Sequence, residues 1–506
     1  MKRLFMAWAA AAAPVLCFGQ GRMLAADCPV EETVRIERRC HFPTYEASNP
    51  VLKADRPWEL NAMGDPYAAP FSGGVWYDEE ASRFKMWYSA GGGKTEGLVL
   101  CYAESDDGRN WTKPALDVVP GTNIVDTTEH DCVSVLLDKH EKRAGRRYKM
   151  FAVVFDAPGR VRMMLKYSAD GIHWSAPQAL SEPLYDRCAV YYDPFREKYV
   201  LSLKTMHERY GRARCYLAHE EPESLVRLAR QLRTPQEEDE AIRYWFHADD
   251  EDPHHPDFPE IRPQIYNHEA IAYEGRMLGQ FTVWQGPEND VCDRLNIQKR
   301  NEVLLGWSGD GWNWHRECRQ PFLAVDGRPG AWNAGNIQSS AGSPLIVGDS
   351  LYFYFSGRYQ SKPEHDSNFA TGLATLRRDG FVSFGADAGG GWVTTAPFVC
   401  DGGMLFVNLD GRGSFAAEVL DAGGTPIAGY TKEECLPVRA VNATALRMAW
   451  RQAGDLSPLA GREIRLRFHL TEADLYAWWL SPSVRGESLG HTAGGGPGLD
   501  PSGRDI

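Results

Sequence analysis

The sequence predicts an all-β chain: a five-bladed β-propeller followed by an antiparallel β-sandwich. Three observations carry this. The string S-x-D-G-x-x-W occurs at residues 105–111, 168–174 and 308–314, with a reduced copy at 377–381. The first two copies start 63 residues apart and the last two 69, while the middle gap of 140 is about twice that. A fixed period of this size marks a repeat architecture, and the doubled gap implies a repeat that has lost its motif. Second, paired apolar runs joined by short turns recur five times. Third, the pattern changes after Thr394.

Composition agrees. The chain has 506 residues, 43% hydrophobic and 11% aromatic, enough for one large domain and a smaller one. Sixteen Trp, 49 Gly and 31 Pro suit many short strands and turns. The net charge of −13 with no basic stripe argues against a nucleic-acid partner. Residues 1–26 read as a secretory signal: Lys2 and Arg3, an apolar run to Phe18, and a small-residue cleavage site at Leu24-Ala25-Ala26. No other run is long enough to cross a membrane, so an exported protein with no membrane insertion after cleavage is expected. Cys17 lacks the small residue expected before a lipid-modified cysteine. Eleven cysteines show no zinc spacing, and Cys28 with Cys40 is the nearest candidate pair for a disulfide.

In order, the propeller is placed at residues 27–394. Runs at 73–78, 83–88 and 97–103 form the first unit. The pairs 132–138 with 148–154, 188–193 with 198–203, 270–273 with 277–284, and 338–347 with 351–356 open the other four. An acidic residue (Asp78, Asp138, Asp193, Glu274) sits at four of the hairpin turns. The D-G pair of the motif suits a tight turn, Asp accepting turn amides and Gly taking positive φ. Its Trp is placed between blades, so the motif reads as structural. Residues 220–267 form an insertion in or after the third unit, with a short helix at 225–232. The run from His247 to Asp257 offers oxygen and imidazole ligands, so calcium is a candidate in this loop or at the axis, although no cofactor is required. A solvated acidic loop is the plainer reading. Residues 395–485 alternate as a sandwich, and the Gly- and Pro-rich 486–506 read as a disordered tail.

In a propeller the innermost strands converge on an axial funnel, and the residues ahead of them are the functional candidates. These are Asp65, Asp131, Asp186 and Glu269 for the first four units, and Asn336 with Gln338 for the fifth. Clustered carboxylates push one another's pKa apart, leaving one as proton donor and another as base or nucleophile. Such a pair flanking a glycosidic bond is what sugar cleavage requires. Trp284, Trp332, Arg187, Arg300 and Arg358 are candidates for the sugar-binding walls.

Three motifs resemble those of glycoside hydrolase families 32 and 43. Met63-Gly-Asp65-Pro66 is similar to the family 32 nucleophile motif N-D-P-N-G. Tyr185-Asp186-Arg187 is similar to the R-D-P motif of the transition-state stabiliser, though here Asp precedes Arg. His268-Glu269-Ala is similar to the E-C motif of the general acid, without its Cys, and Glu274 competes for that role. The resemblance implies a glycosidase acting on a furanoside or related glycan, with Asp65 as nucleophile or base, Glu269 as proton donor and Asp186 as stabiliser. The partner it implies is an oligo- or polysaccharide.

Two other classes stay open. A carbohydrate-binding propeller without turnover would keep the fold and lack facing carboxylates. A purely structural surface protein would have a filled axis. The motif also resembles the Asp boxes of sialidases, whose three arginines could be Arg187, Arg300 and Arg358.

Overall fold

The computed structural model describes residues 21–506 except 63, 92–97, 158, 233, 235–236, 238, 329 and 360–368. Residues 1–20 of the expected leader therefore lie outside the described residues. The chain is all-β: among the described residues its α-helices are Pro222–Leu228 and Asn289–Leu295, and none is long and apolar enough to cross a membrane. It divides into two compact units. One is Cys40–Phe381 with Leu489–Ile506, the other Met1–Arg39 with Val382–Ser488.

The larger unit carries the repeats. Strands Ala68–Asp78, Arg83–Ala90 and Leu98–Ser105 form the first, and Ile124–Leu137, Tyr148–Ala157, Arg160–Ser168 and Ala179–Leu184 the second. Together these seven make one sheet, joined by parallel pairing of Ser72 with Val133. The third repeat is its own four-stranded sheet: Ala189–Asp193, Lys198–His207, Gly211–His219 and Arg243–Phe246. Its last strand comes from the insertion, which is how this repeat does without the motif. The fourth repeat (Gln264–Glu274, Arg276–Gly286, Arg300–Ser308) and the fifth (Asn336–Ser339, Ser350–Arg358, Ala370–Arg377) share a nine-stranded sheet. The helix of the insertion lies at Pro222–Leu228, slightly ahead of its expected place.

The recurring motif ties neighbouring repeats together. The Ser105 hydroxyl accepts the Gly108 N–H at 2.9 Å, and Asp107 accepts the N–H groups of Arg109 and Asn110, both at 2.8 Å. Gly108 takes φ 71°, which a side chain would resist. Residues 168–173 repeat these bonds. The turn carbonyls then accept donors from the preceding repeat: Gly171 O from Trp87 Nε1 at 2.6 Å, and Gly108 O from the Tyr354 hydroxyl at 2.6 Å. Tyr354 belongs to the fifth repeat, so the first repeat is bonded to the last. A parallel bridge between Ser72 and Ser340 joins the same two. The worn copy works alike, with Asp379 accepting the Tyr273 hydroxyl at 2.5 Å.

The acids at the hairpin turns are structural as well. Asp78, 1% exposed, meets Arg147 at 2.6 Å, Lys85 at 2.8 Å and the Tyr148 hydroxyl at 2.5 Å. Asp138 meets Lys149 at 2.7 Å and the Tyr199 hydroxyl. Glu274, a candidate general acid, belongs to this series. It sits at the turn with φ 52°, buried, 3.5 Å from Arg378 of the next repeat. That position removes it from the candidate site.

Two expectations, the disordered tail and the nearest cysteine pair, change. Residues 489–506 are ordered rather than disordered: His491–Thr492 pairs with Tyr273 and Glu274, and Gly494 and Gly495 accept the N–H groups of Tyr77 and Ile346 at 2.9 Å each. Glycines there allow backbone-to-backbone approach that any Cβ would block, as the Gly494 contact with Gly342 O shows. The acidic loop is crossed by arginines. Asp249 and Asp252 are bonded to Arg316 and Arg319, and no group of three metal-ligating side chains occurs among the described residues. Cys40 pairs with Cys318, 278 residues away, whereas Cys28 is a buried free thiol.

The nine strands of the smaller unit are hydrogen-bonded into one continuous sheet. It is built along Glu463–Ser481, which pairs with Met404–Asp421 on one edge. On the other edge it pairs with Met23–Leu24, Val382–Ala386, Gly391–Thr395 and Phe398–Val399. The sheet encloses a core that includes Phe398, Phe415, Phe468 and Trp478. Residues 382–394 and the described residues up to Arg39 thus belong here and not with the repeats. Leu24, Ala25 and Ala26 are buried, and Arg22 stacks 4.0 Å from the Trp479 ring. Cleavage after Ala26 would remove Met23–Leu24, so N-terminal sequencing of protein from a secreting host checks that expected boundary: a start at Asp27 would contradict this packing.

Candidate active site

The repeats bring five segments together in the larger unit, and β-bulges aim the side chains. Pairing of the second repeat's strands slips between His130 and Cys132, making Asp131 the extra residue. Pairing in the fourth slips between Ile265 and Asn267, making Tyr266 the extra residue. In the first repeat four residues, 70–73, oppose a single one, with Phe71, Ser72 and Gly73 all at positive φ. A bulged residue escapes the ladder and points where the alternation would not send it.

These segments touch. Asp131 Oδ2 accepts the Arg187 N–H at 3.3 Å, and Arg187 Nη1 donates to Phe71 O at 2.9 Å. The Arg187 guanidinium lies 3.7 Å from the Phe71 ring and 6.0 Å from the Tyr266 ring. Asn267 Nδ2 donates to Ser72 Oγ at 3.3 Å and to Glu269 Oε1 at 3.2 Å. Arg214 supports this layer from behind, donating to Arg187 O at 3.0 Å and Ser202 Oγ at 3.0 Å.

Asp131 is the perturbed carboxyl at the open side. Burial pushes its pKa up, the neighbouring charge of Asp186 adds to this, and Arg187 opposes it. Part of its surface nonetheless stays open. Asp186 is 47% exposed and ion-paired to Lys204. Burial pushes the Tyr266 hydroxyl up to about 12, with Arg187, Asp131, Arg358 and Asp186 all close enough to act on it.

Glu269 is placed differently from its expectation. Starting the strand at Ala270 puts Glu269 at its mouth, but the strand begins at Gln264. At about 3.3 Å per residue, Glu269 lies ~16 Å along it. It is 3% exposed, with the Ser72 and Ser339 hydroxyls beside it. Burial pushes its carboxyl up, against the opposing pull of Arg187. It lines a cavity of about 70 Å³ whose walls include Trp76, Leu136, Val190, Ile271 and Ala341, with His491 of the C-terminal segment. That lining includes neither Asp131 nor Asp186.

The other candidates divide. Asp65 lies in the loop before the first strand, half-exposed. Its N–H donates to Asn61 Oδ1 at 2.8 Å and its Oδ2 accepts Asn61 Nδ2 at 3.3 Å. Arg358, 5% exposed, stacks 4.7 Å from the Phe369 ring and acts on Tyr266. Arg300 instead forks onto Glu302 at 2.8 and 3.1 Å, so the three-arginine arrangement is not assembled. Trp284 is 2% exposed beneath Arg212, 4.5 Å away, and is a packing residue, whereas Trp332 is half-buried and stacks on Phe355 at 5.8 Å. Asn336 and Gln338 are buried and bonded to each other at 3.1 Å, with Asn301 also donating to Asn336. Tyr266 and Lys204 escaped sequence reasoning. Tyr266 could have been found only by seeing the bulge, and Lys204 only through its pairing with Asp186.

No protein-family profile and no curated protein matches the chain. The resemblance to families 32 and 43 therefore stands on its motifs alone. Solved structures do match. One is a glycosyl hydrolase from Bacteroides ovatus at 12% identity and TM-score 0.44, covering 67% of this chain and 94% of that one. Another is described as belonging to the GH130 family of mannoside phosphorylases, which contains glycoside hydrolases that target β-1,2 mannosidic linkages in Candida mannan. It matches at 13% identity and TM-score 0.43, covering 66% and 93%. A third is an endo-1,4-β-xylanase from Bacteroides thetaiotaomicron at 13% identity and TM-score 0.39, covering 63% and 94%.

Proposed function

We propose that the larger unit is a five-bladed propeller and that the protein is an exported glycoside hydrolase acting on an oligo- or polysaccharide. The propeller reading is supported by the bonds from Gly108 to Tyr354 and from Ser72 to Ser340, which join the first repeat to the fifth. It is also supported by a cavity whose walls come from all five repeats.

The observation that carries the function is the bulged Asp131 beside Asp186. A carboxyl whose pKa is raised by burial and by a second carboxylate keeps its proton where an ordinary Asp has lost it. It can then donate to the leaving oxygen of a glycosidic bond. Asp186, anchored by Lys204, supplies the charge that tunes it. Asp65, ahead of the first strand, is the nucleophile or base from the neighbouring repeat. Tyr266 and Arg358 position the sugar. Glu269, deep among hydroxyls, keeps the axis in register and gives no proton. These steps use side chains alone.

The test is a screen of aryl furanosides and plant or algal glycans with wild type, Asp131→Asn and Asp186→Asn. Cleavage by wild type that Asp131→Asn loses is the expected result. Equal rates for the two would overturn the assignment, and glycan binding without cleavage by wild type would favour a binding propeller.

A further inference from the structure

Residues 489–506 reach every repeat of the larger unit, although in sequence they follow the smaller one. They first fold back on themselves. The Leu489 N–H donates to Asp505 O at 2.8 Å, the Thr492 N–H to Gly503 O at 3.0 Å and the Asp505 N–H to Gly490 O at 2.9 Å. His491 and Thr492 pair with Glu274 and Tyr273 at the hairpin turn of the fourth repeat. The His491 ring lies 5.0 Å from that of Phe195 in the third and 6.3 Å from that of His140 in the second. Glu79 of the first repeat accepts the Gly496 N–H at 3.3 Å and Lys139 of the second at 2.6 Å. At the seam between the first and fifth repeats, the Val75 N–H donates directly to Ala341 O at 3.0 Å. Two residues on, the tail takes over. Gly494 O accepts the Tyr77 N–H at 2.9 Å, the Gly494 N–H donates to Pro344 O at 3.0 Å, and Gly495 O accepts the Ile346 N–H at 2.9 Å.

Resting on the propeller reading, we propose that this tail is a clasp that locks the five repeats into a closed ring. Each unit of such an array is supported only by its neighbours, so the ring is as closed as its weakest seam. The seam between the first and fifth repeats joins the segments farthest apart in the repeat order, and it carries the loop-closure cost of the whole ring. The tail extends that seam, bonding backbone to backbone on both of its sides, and ties it at the same time to the other three repeats. Glycine is what permits so close an approach. A Cβ on Gly496 would lie 1.7 Å from Ile346 O, and one on Gly494 would lie 2.0 Å from Gly342 O. Because these residues are synthesised last, the lock is set only after all five repeats exist.

Hydrogen–deuterium exchange on the full chain reads the seam. In wild type the amides of Val75, Tyr77, Ala341 and Ile346 are expected to be protected. Gly496→Ala is expected to speed the exchange of all four about tenfold or more, while the strands Met404–Asp421 and Glu463–Ser481 of the smaller unit keep their wild-type rates. Acceleration confined to Tyr77 and Ile346, whose own partners are in the tail, overturns the clasp and leaves a mere cover; so does no acceleration at all. If Gly496→Ala fails to fold, a site-specific protease sequence inserted after Val484, 65% exposed, reads the same property with the tail unsubstituted. Protection of the Val75 and Ala341 amides is expected to persist while the cut tail co-elutes in gel filtration, and to be lost once mild denaturant has stripped the tail away. Protection that survives removal of the tail overturns the proposal. Failure of the propeller reading looks different: those two amides would then exchange freely in uncut wild type.

Discussion

Asp131→Asn is expected to lower kcat/KM by about 10²–10⁴-fold, the contribution of one positioned proton donor, while thermal unfolding stays near that of wild type. The pH profile separates this role from a structural one. Burial and the Asp186 charge raise the Asp131 pKa, so its acid form persists to higher pH than the ordinary value of 3.8. The alkaline limb of kcat/KM therefore lies above that value in wild type. Asp186→Asn removes one of the two raising effects, so the limb moves toward lower pH, and an unmoved limb would refute the pairing. Glu269→Gln makes the contrast. It keeps the hydrogen-bonding shape and removes a carboxyl whose ionised form burial disfavours. A group with a raised folded pKa binds more protons when folded. Stability thus falls as pH rises from the ordinary Glu value of 4.5 through the folded one. The Gln variant escapes that fall, so its Tm at neutral pH should equal or exceed wild type, with kcat within about tenfold. A loss as large as that of Asp131→Asn would return the donor role to Glu269.

Asp78→Ala is expected to be the most damaging change away from the site, by about 3–5 kcal/mol. It removes the carboxylate that meets Lys85, Arg147 and the Tyr148 hydroxyl together, leaving Arg147 with its 3.4 Å pair to Glu80 and the buried Lys85 without this partner. Denaturant unfolding measures it, and a loss under ~1 kcal/mol would show the cluster to be dispensable. Burial alone would raise the Asp78 pKa, but Arg147, Lys85 and Tyr148 outweigh it and hold the carboxyl well below its ordinary 3.8. The sign follows: this stability is present above 3.8 and is lost as pH falls below it toward the depressed folded value. Asp78→Asn should flatten that acid limb.

Much of the architecture was legible because it is local. The D-G turn of the motif declares its bonds in its own seven residues, and the hairpins announce themselves by alternation and turn chemistry. The expectation of five repeats came from the motif spacing together with the recurring hairpins. The candidate site was legible in part. Asp131 touches Arg187 and Asp186 lies close enough to act on Asp131, whereas Arg358 is linked to them only through Tyr266. Glu269 was misjudged by where its strand begins, and Glu274 by similarity of sequence to an active carboxyl. Trp284 reads as a candidate sugar-binding wall but is 2% exposed, since composition does not tell a buried aromatic from an open one.

The sequence by itself determined the all-β class, the repeat period and the turn motif, all legible in short stretches of adjacent residues. Only the tertiary structure decided which repeat bonds to which, that Cys40 meets Cys318, and that residues 22–26 and 489–506 fold in. It alone decided that Asp131 and Tyr266 are the bulged residues aimed inward. The physical reason is the same throughout. An unpaired strand edge, a thiol or an extra residue in a ladder has no local partner to name it, so its fate depends on what the rest of the chain brings alongside.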